Sequence, residues 1–536
     1  MKRREFVRTL GLASLAVPLS RCGPSARKAS DGSVPNLGGI DGSVSGYDGR
    51  SSTRPNVVFI MSDDHASQAI SCYGGGLNQT PHIDQIAQQG VRFDNCFCTN
   101  ALCAPSRAGI LTGKYSHLNG LRNNSQVFDG TQATFPKTLQ AAGYETAFLG
   151  KWHLTSDPTG FDYWNVLPGQ GDYYNPDLIE MGNQKRYPGY VTDILTDMAV
   201  DFLQARQNPT RPFLLMLHHK APHRNWQPAE RHLTLYDQVE FPEPPTLFDD
   251  YATRCEAATE QEMTIRDAMT LQDDLKLGPA PDRMDDSQKA AWEAAYGPKR
   301  EAFQKAGLTG DALVRWKYQR FLQDYLGCVA AVDESVGRVL EALDSAGLSQ
   351  NTLVVYTSDQ GFFLGEHGWF DKRFMYEESL RMPLVMRLPG TIPPGSIHKD
   401  MVTNLDFGPT FLDCAGVEKP TAMQGRSFLP LLLGQTVAGW PESIYYHFYE
   451  YPAVHMVKRH FGVRTGRHKL IHFYYDIDAW ELYDLANDPH ELNNVAADPA
   501  YAGIRSDLEG ELARLQSLYG DSEELAQKFV AIDLGT

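Results

Sequence analysis

The chain has 536 residues, a length that fits one large domain or a few smaller ones. Apolar residues make up 42% and charged residues 21%, which excludes a largely disordered chain, a fibrous repeat and a polytopic membrane protein. The formal charge of −17 argues against nucleic acid as a partner, because phosphate backbones are gripped by clustered Lys and Arg. An anionic substrate would need a local nest of cations against that background.

Residues 2–8 are mostly basic, and an apolar stretch from Leu10 to Leu19 comes next. That is the pattern of an export signal, too short to span a bilayer. Arg3-Arg4 with Phe6 resembles a twin-arginine signal, which implies the twin-arginine export machinery as a partner and a periplasmic or secreted protein. Cys22 is a candidate lipid-anchor site, although Arg21 stands where a small residue is expected. The predicted organisation is a signal peptide at 1–28, a Gly/Ser/Asp-rich linker at 29–53, a main domain at 54–430 and a C-terminal α+β subdomain at 431–536.

Short apolar runs with the β-branched content of buried strands lie at 56–61, 145–149, 213–217, 353–356 and 383–388. A helix is predicted at 81–89, with Pro just inside its start and Gly90 just past its end. A second, at 316–346, carries apolar residues at three-to-four spacing and stops at Gly347. Strands alternating with helices predict an α/β fold with a mainly parallel sheet flanked by helices. A charged region at 248–306 predicts a long helical insertion that shapes a pocket mouth or covers an edge. From 441 onward, short Tyr-, Phe- and His-rich segments predict a smaller antiparallel sheet, with a helix after it at 506–519.

The chemistry is carried by the residues just past the strands. Asp63-Asp64-His65, Lys151-Trp152-His153, His218-His219-Lys220 with His223, and Asp359-Gln360 each emerge from the carboxyl end of a predicted strand. Open α/β sheets build their sites at that edge, so four such endings point to one shared pocket. Asp63, Asp64, Asp359 and Gln360 form a hard, all-oxygen donor set suited to Ca2+, and less readily to Mg2+. Pro105 is a first-turn residue, so the helix beginning there aims its free N–H groups toward Cys103.

The run Cys103-Ala-Pro105-Ser106-Arg107, with Leu111-Thr112-Gly113, resembles the signature of the formylglycine-dependent sulfatases, in the alkaline phosphatase superfamily. The resemblance spans most of the chain from Asn56 onward and implies an alkaline phosphatase-like fold. It implies that Cys103 is oxidised by a formylglycine-generating enzyme to Cα-formylglycine, whose hydrated aldehyde attacks a sulfate ester. It further implies Asp63, Asp64, Asp359, Gln360 and the modified residue 103 as Ca2+ ligands, with Gln360 standing where the family often has Asn. Arg107, Lys151, His153, His223 and Lys372 would cradle the sulfate and move its protons. Within that role set, His223 serves as proton donor to the leaving group and His153 as acceptor.

The segments from Trp369 through Glu378 and from Trp480 to Asn494 look most like bacterial N-acetylglucosamine-6-sulfatases. That likeness implies a 6-O-sulfated N-acetylglucosamine, in a glycosaminoglycan or mucin-type glycan, as substrate. Asp371, Arg373, His455 and His460 are candidate sugar contacts beside the cradle. A phosphoester or phosphonate hydrolase of the same superfamily shares the Cys-x-Pro-Ser-Arg element and stands as one alternative. A non-catalytic sulfated-glycan-binding protein with an unmodified cysteine stands as the other.

Overall fold

The computed structural model describes residues 54–206, 208 and 210–535. The predicted signal, the linker and Cys22 lie outside the described residues. An 11-stranded sheet organises the main body. Its order runs Ser396–His398, Val91–Phe97, Arg381–Arg387, Thr352–Ser358, Asn56–Ser62, Phe213–His218, Glu145–Lys151, Tyr163–Leu167, Asp177–Glu180, Asn183–Arg186; Val402–Thr403 adds to Val91–Phe97 off this path. The five strands from Thr352–Ser358 to Tyr163–Leu167 are mutually parallel. Arg381–Arg387 runs antiparallel to both neighbours, and the edge formed by Asp177–Glu180 and Asn183–Arg186 is antiparallel too. The sheet is therefore mixed, with the parallel block at its centre.

Central strands bury both faces, which explains their continuous apolar runs. Val57, Phe59 and Met61 pack into one layer with Phe407 and Phe411. Val58 and Ile60 point the other way, toward Leu326 and Val329 of the Gly310–Ser345 helix. That helix begins six residues before the predicted start, and its Asp333 carboxylate accepts hydrogen bonds from the backbone N–H groups of His82 (3.0 Å) and Ile83 (2.9 Å). Asp333 thus caps the first turn of the Pro81–Gln88 helix from across the layer.

One expectation needs correction. The region 248–306 is not one long helix: it holds a short helix at Glu256–Glu260, then turns, and a long helix only at Asp286–Ala306. Gly278, Pro279 and Pro281 interrupt helical geometry between them, and Asp285 with Gln288 forms the capping box where the helix resumes. The edge strands Asp177–Glu180 and Asn183–Arg186 and the strand Val91–Phe97 carry too many polar residues to form the apolar runs that mark the central strands.

The C-terminal part forms a four-stranded antiparallel meander, Ser443–Phe448, His460–Thr465, His468–Phe473 and Ala479–Asp484. The Ala502–Tyr519 helix packs on it through Leu508, Leu512 and Leu515.

Candidate active site

The strand ends converge as their sequence suggests. Asp63 and Asp64 come directly after Asn56–Ser62, and Asp359 comes directly after the neighbouring parallel strand Thr352–Ser358. The two ends are stitched by Asp359 N–H to Ser62 O (3.2 Å), Asp64 N–H to Asp359 Oδ1 (3.2 Å) and His65 N–H to Ser358 Oγ (2.9 Å). Asp64 turns away from the strand direction at φ 66°, a conformation Asp tolerates better than most residues. Cys103 opens the Cys103–Thr112 helix, every residue of which is buried. Asn404 and the Asp359 carbonyl hold its Ser106 hydroxyl.

Three carboxylates meet here. Asp63, Asp64 and Asp359 each offer an oxygen, all within 4.8 Å of one another. Cys103 Sγ, an Asp63 oxygen and a His223 ring nitrogen form a second group within the same distance. Cations surround them. Arg107 donates to Asp359 Oδ2 through Nε (3.0 Å) and Nη2 (2.8 Å), and to the Lys151 carbonyl through Nη1 (2.6 Å). Lys151 pairs with Asp63, and Lys372 Nζ donates to both oxygens of Asp64 (2.6 and 2.8 Å).

The electrostatics reflect that crowding. Burial would raise the Asp63 pKa, but Lys151 and its neighbouring cations hold it well below the usual carboxylate range. Burial and the adjacent Asp63 push Asp359 up to about 7, and burial lifts Asp64 to about 6 despite Lys372. His153 falls to about 2 through burial and the Lys151 charge, so its imidazole is neutral. The Cys103 thiol is raised by burial, so an unmodified Cys103 is not a thiolate and is a poor nucleophile.

The residues fit a divalent cation. Asp63 Oδ1 and Gln360 Oε1 are buried with no hydrogen-bond partner, although Gln360 donates to Asp64 through its amide nitrogen. Two orphaned oxygens beside two further carboxylates form the hard donor set that an ion such as Ca2+ takes.

The candidate sugar contacts divide. Asp371 and Arg373 are buried beside Lys372 and pair with each other, and His455 Nε2 lies 3.2 Å from Asp371 Oδ2. His460 is apart from this group. It is fully buried, gives its Nδ1–H to Lys458 O (2.8 Å), and stacks among Phe374, Tyr446, Phe448 and Phe473. His218 packs edge-on against Phe59 and Phe148 beneath Arg107, and His219 meets Ser335. Sequence reasoning misses Gln170, whose side chain meets Lys151 and whose carbonyl accepts from Lys220 (3.1 Å). It also misses Glu450, which accepts from Asn124 N–H (3.1 Å) and lies 3.9 Å from Arg373. Both sit on irregular loops with no motif to mark them.

Comparison with known proteins agrees with this geometry. The family model described as Sulfatase matches residues 55–417. A second, described as N-sulphoglucosamine sulphohydrolase, C-terminal, matches residues 365–518. The chain is 52% identical over 489 residues to the N-acetylglucosamine-6-O-sulfatase of Bacteroides thetaiotaomicron, covering 88% of each chain. It is 30% identical over 420 residues to the human N-acetylglucosamine-6-sulfatase, covering 73% of this chain and 66% of that one. A solved structure holding D-glucosamine-2-N,6-O-disulfate as its substrate matches with a TM-score of 0.86 and 52% identity, over 87% of this chain and 98% of that one. A phosphonate monoester hydrolase from Silicibacter pomeroyi matches with a TM-score of 0.65 at 22% identity, over 86% of this chain and 95% of that one, a likeness of fold alone.

Proposed function

Because the chain belongs to the sulfatase family and is a sulfuric ester hydrolase acting on glycan O-sulfates, we propose that its substrate is a 6-O-sulfated glucosamine, N-acetylated or N-sulfated. The 52% identity to a named 6-O-sulfatase, extending over nearly the whole chain, carries this reading. The pairing of Asp371 with Arg373 and His455 beside the sulfate cradle supports a sugar-hydroxyl contact at that place.

Cys103 is the residue for conversion to formylglycine, which supplies a geminal diol as nucleophile. Asp63, Asp64, Asp359 and Gln360 would hold a divalent ion, proposed as Ca2+, which would supply Lewis-acid polarisation of that nucleophile and a sulfate oxygen. The chain's own side chains do the rest. Arg107, Lys151 and Lys372 offer fixed positive charge to the sulfate oxygens and to negative charge that shifts to the bridging oxygen. His223 gives a proton from Nε2 to the departing sugar oxygen; a sulfate anion bound beside it favours the imidazolium that burial and Lys151 otherwise suppress. His153, neutral and with a buried, unpartnered Nδ1, takes the proton of the diol's second hydroxyl, so that the carbonyl re-forms as the carbon's bond to the sulfated oxygen breaks and sulfate leaves. The basic, apolar N-terminus supports export from the cytoplasm.

The test is sulfate release from N-acetylglucosamine 6-O-sulfate, its 3-O- and 4-O-isomers and matched phosphate esters, with mass spectrometry of the Cys103 peptide from active protein. Preference for the 6-O-sulfate, with an aldehyde in place of the thiol, is expected. Dominant phosphate release, or full activity in Cys103→Ala, would overturn it.

A further inference from the structure

The insertion within 248–306 reaches back toward the site through Asp274. Asp274 is fully buried, and its carboxylate accepts five hydrogen bonds. Arg224 supplies two as a fork, Nε to Oδ1 (2.7 Å) and Nη2 to Oδ2 (2.6 Å). Asn225 Nδ2 supplies a third (2.9 Å), and Thr270 gives its backbone N–H (2.8 Å) and hydroxyl (2.9 Å). Lys276 ties the same loop to the Asn225 and Asp274 carbonyls, and pairs with Asp324 of the Gly310–Ser345 helix at 3.4 Å. The anchorage is therefore rigid on the side of the long helix.

This anchor holds the residue next to His223. His223 Nδ1–H donates to the Arg224 carbonyl at 2.7 Å, and Tyr173 OH donates to the His223 carbonyl at 2.5 Å. With Nδ1 committed to a backbone oxygen, Nε2 is the atom that faces the site, 3.8 Å from Asp64 Oδ2. The Arg224 side chain is itself a quarter exposed and lies over the Phe370 ring at 5.0 Å. Burying an Arg–Asp pair adds little net stability over an apolar pair of the same shape, but it fixes geometry that apolar contacts leave free.

We propose that Asp274 is a positioning residue for His223: it clamps the Arg224 guanidinium, thereby sets the Arg224 carbonyl, and so aims Nε2 at the departing sugar oxygen. This rests on His223 being the proton donor of the proposed reaction. The insertion then has a catalytic consequence without touching substrate.

The experiment compares turnover of N-acetylglucosamine 6-O-sulfate with that of 4-nitrophenyl sulfate, whose leaving group departs without a proton. Asp274→Asn should lose about 10- to 100-fold in kcat on the sugar sulfate while the aryl sulfate stays within about threefold and KM barely moves. Arg224→Lys, which keeps a cation for Asp274 but loses the fork, should show the same split in weaker form. The ratio of the two rates within one preparation cancels any loss of folded protein. Equal loss on both substrates, no loss on either, or a crystal structure of Asp274→Asn with the His223 ring unmoved would overturn the clamp. His223→Ala separates the two claims: if it slows both substrates alike, the proton-donor assignment fails, whereas a split in His223→Ala absent from Asp274→Asn sinks the clamp alone.

Discussion

Lys469 lies at the centre of the contact between the C-terminal sheet and the segment just beyond Lys372. It is fully buried, with Nζ 2.7 Å from Glu491 Oε1 and 3.0 Å from Glu377 Oε1. Glu377 also meets Arg464 at 3.2 Å, so two carboxylates are balanced by two cations. Lys469→Met keeps the apolar stem and removes the charge, leaving one of the carboxylates unbalanced inside the protein. Burial and the neighbouring Glu377 and Glu378 push Glu491 up to about 8 despite Lys469, so the pair is fully charged only above that pH, where at 2.7 Å its attraction is about 6 kcal/mol at an effective dielectric of about 20. Desolvation of the ammonium offsets part of this, so the expected loss at pH 9, where Glu491 is ionised, is about 3–5 kcal/mol, and it shrinks as pH falls below about 8 and Glu491 takes up a proton. In a chain of this size that corresponds to a melting shift of roughly 5 °C. Adding Glu491→Gln restores the balance, so the double variant should melt above Lys469→Met alone. Differential scanning calorimetry at pH 9 of the wild type, both single variants and the double variant measures this directly. If Lys469→Met melts within about 1 °C of wild type, or the two changes simply add, the charge balance contributes nothing measurable and the reasoning fails.

Three further outcomes are expected. Arg107→Lys removes the fork on Asp359 and should cut kcat on the sugar sulfate about 100-fold with little change in KM, measured by steady-state kinetics. Gly150→Ala would put a Cβ 2.0 Å from the His218 carbonyl oxygen at a residue with φ +101°, so it should cost more than about 4 kcal/mol or prevent soluble expression, read by yield and thermal melting. Burial would raise the Asp521 pKa, but His447, whose ring lies 2.8 Å away, holds it well below the usual 3.8. A depressed carboxyl stabilises the fold above its ordinary pKa, and that contribution drains away as pH falls below about 4. Asp521→Asn should therefore melt lower than wild type at pH 7, with the gap closing in acid scans; a gap that persists unchanged refutes the assignment.

The site is legible in the sequence because its residues sit at strand ends, where a short apolar run gives way at once to Asp, Lys or His. Asp63, Lys151 and Asp359 meet through neighbouring parallel strands, an arrangement that the alternation of strands and helices already implies. Gln170 and Glu450 are not legible, because loops bring them in and no periodicity marks a loop. His460 misleads for the opposite reason: it ends a basic run that suggests a ligand, yet it alternates into the inner face of its strand and is enclosed by rings. The insertion reads as continuous helix because charged, Ala-rich composition is shared by helices and by turns that side chains cap.

The enclosure of Cys103 constrains the order of events in the cell. The residue is 1% exposed, at the head of a helix whose every residue is covered, beneath a carbonyl-bound Ser106 and a ring of ion pairs. No second protein can grasp a thiol in that position once the sheet has closed over it. A conversion by a second protein, if this residue undergoes the one proposed, would have to come before the fold closes, and the supply of active protein would then be decided by a race between folding and chemistry. A chain that folded first would be trapped as a well-formed but silent protein.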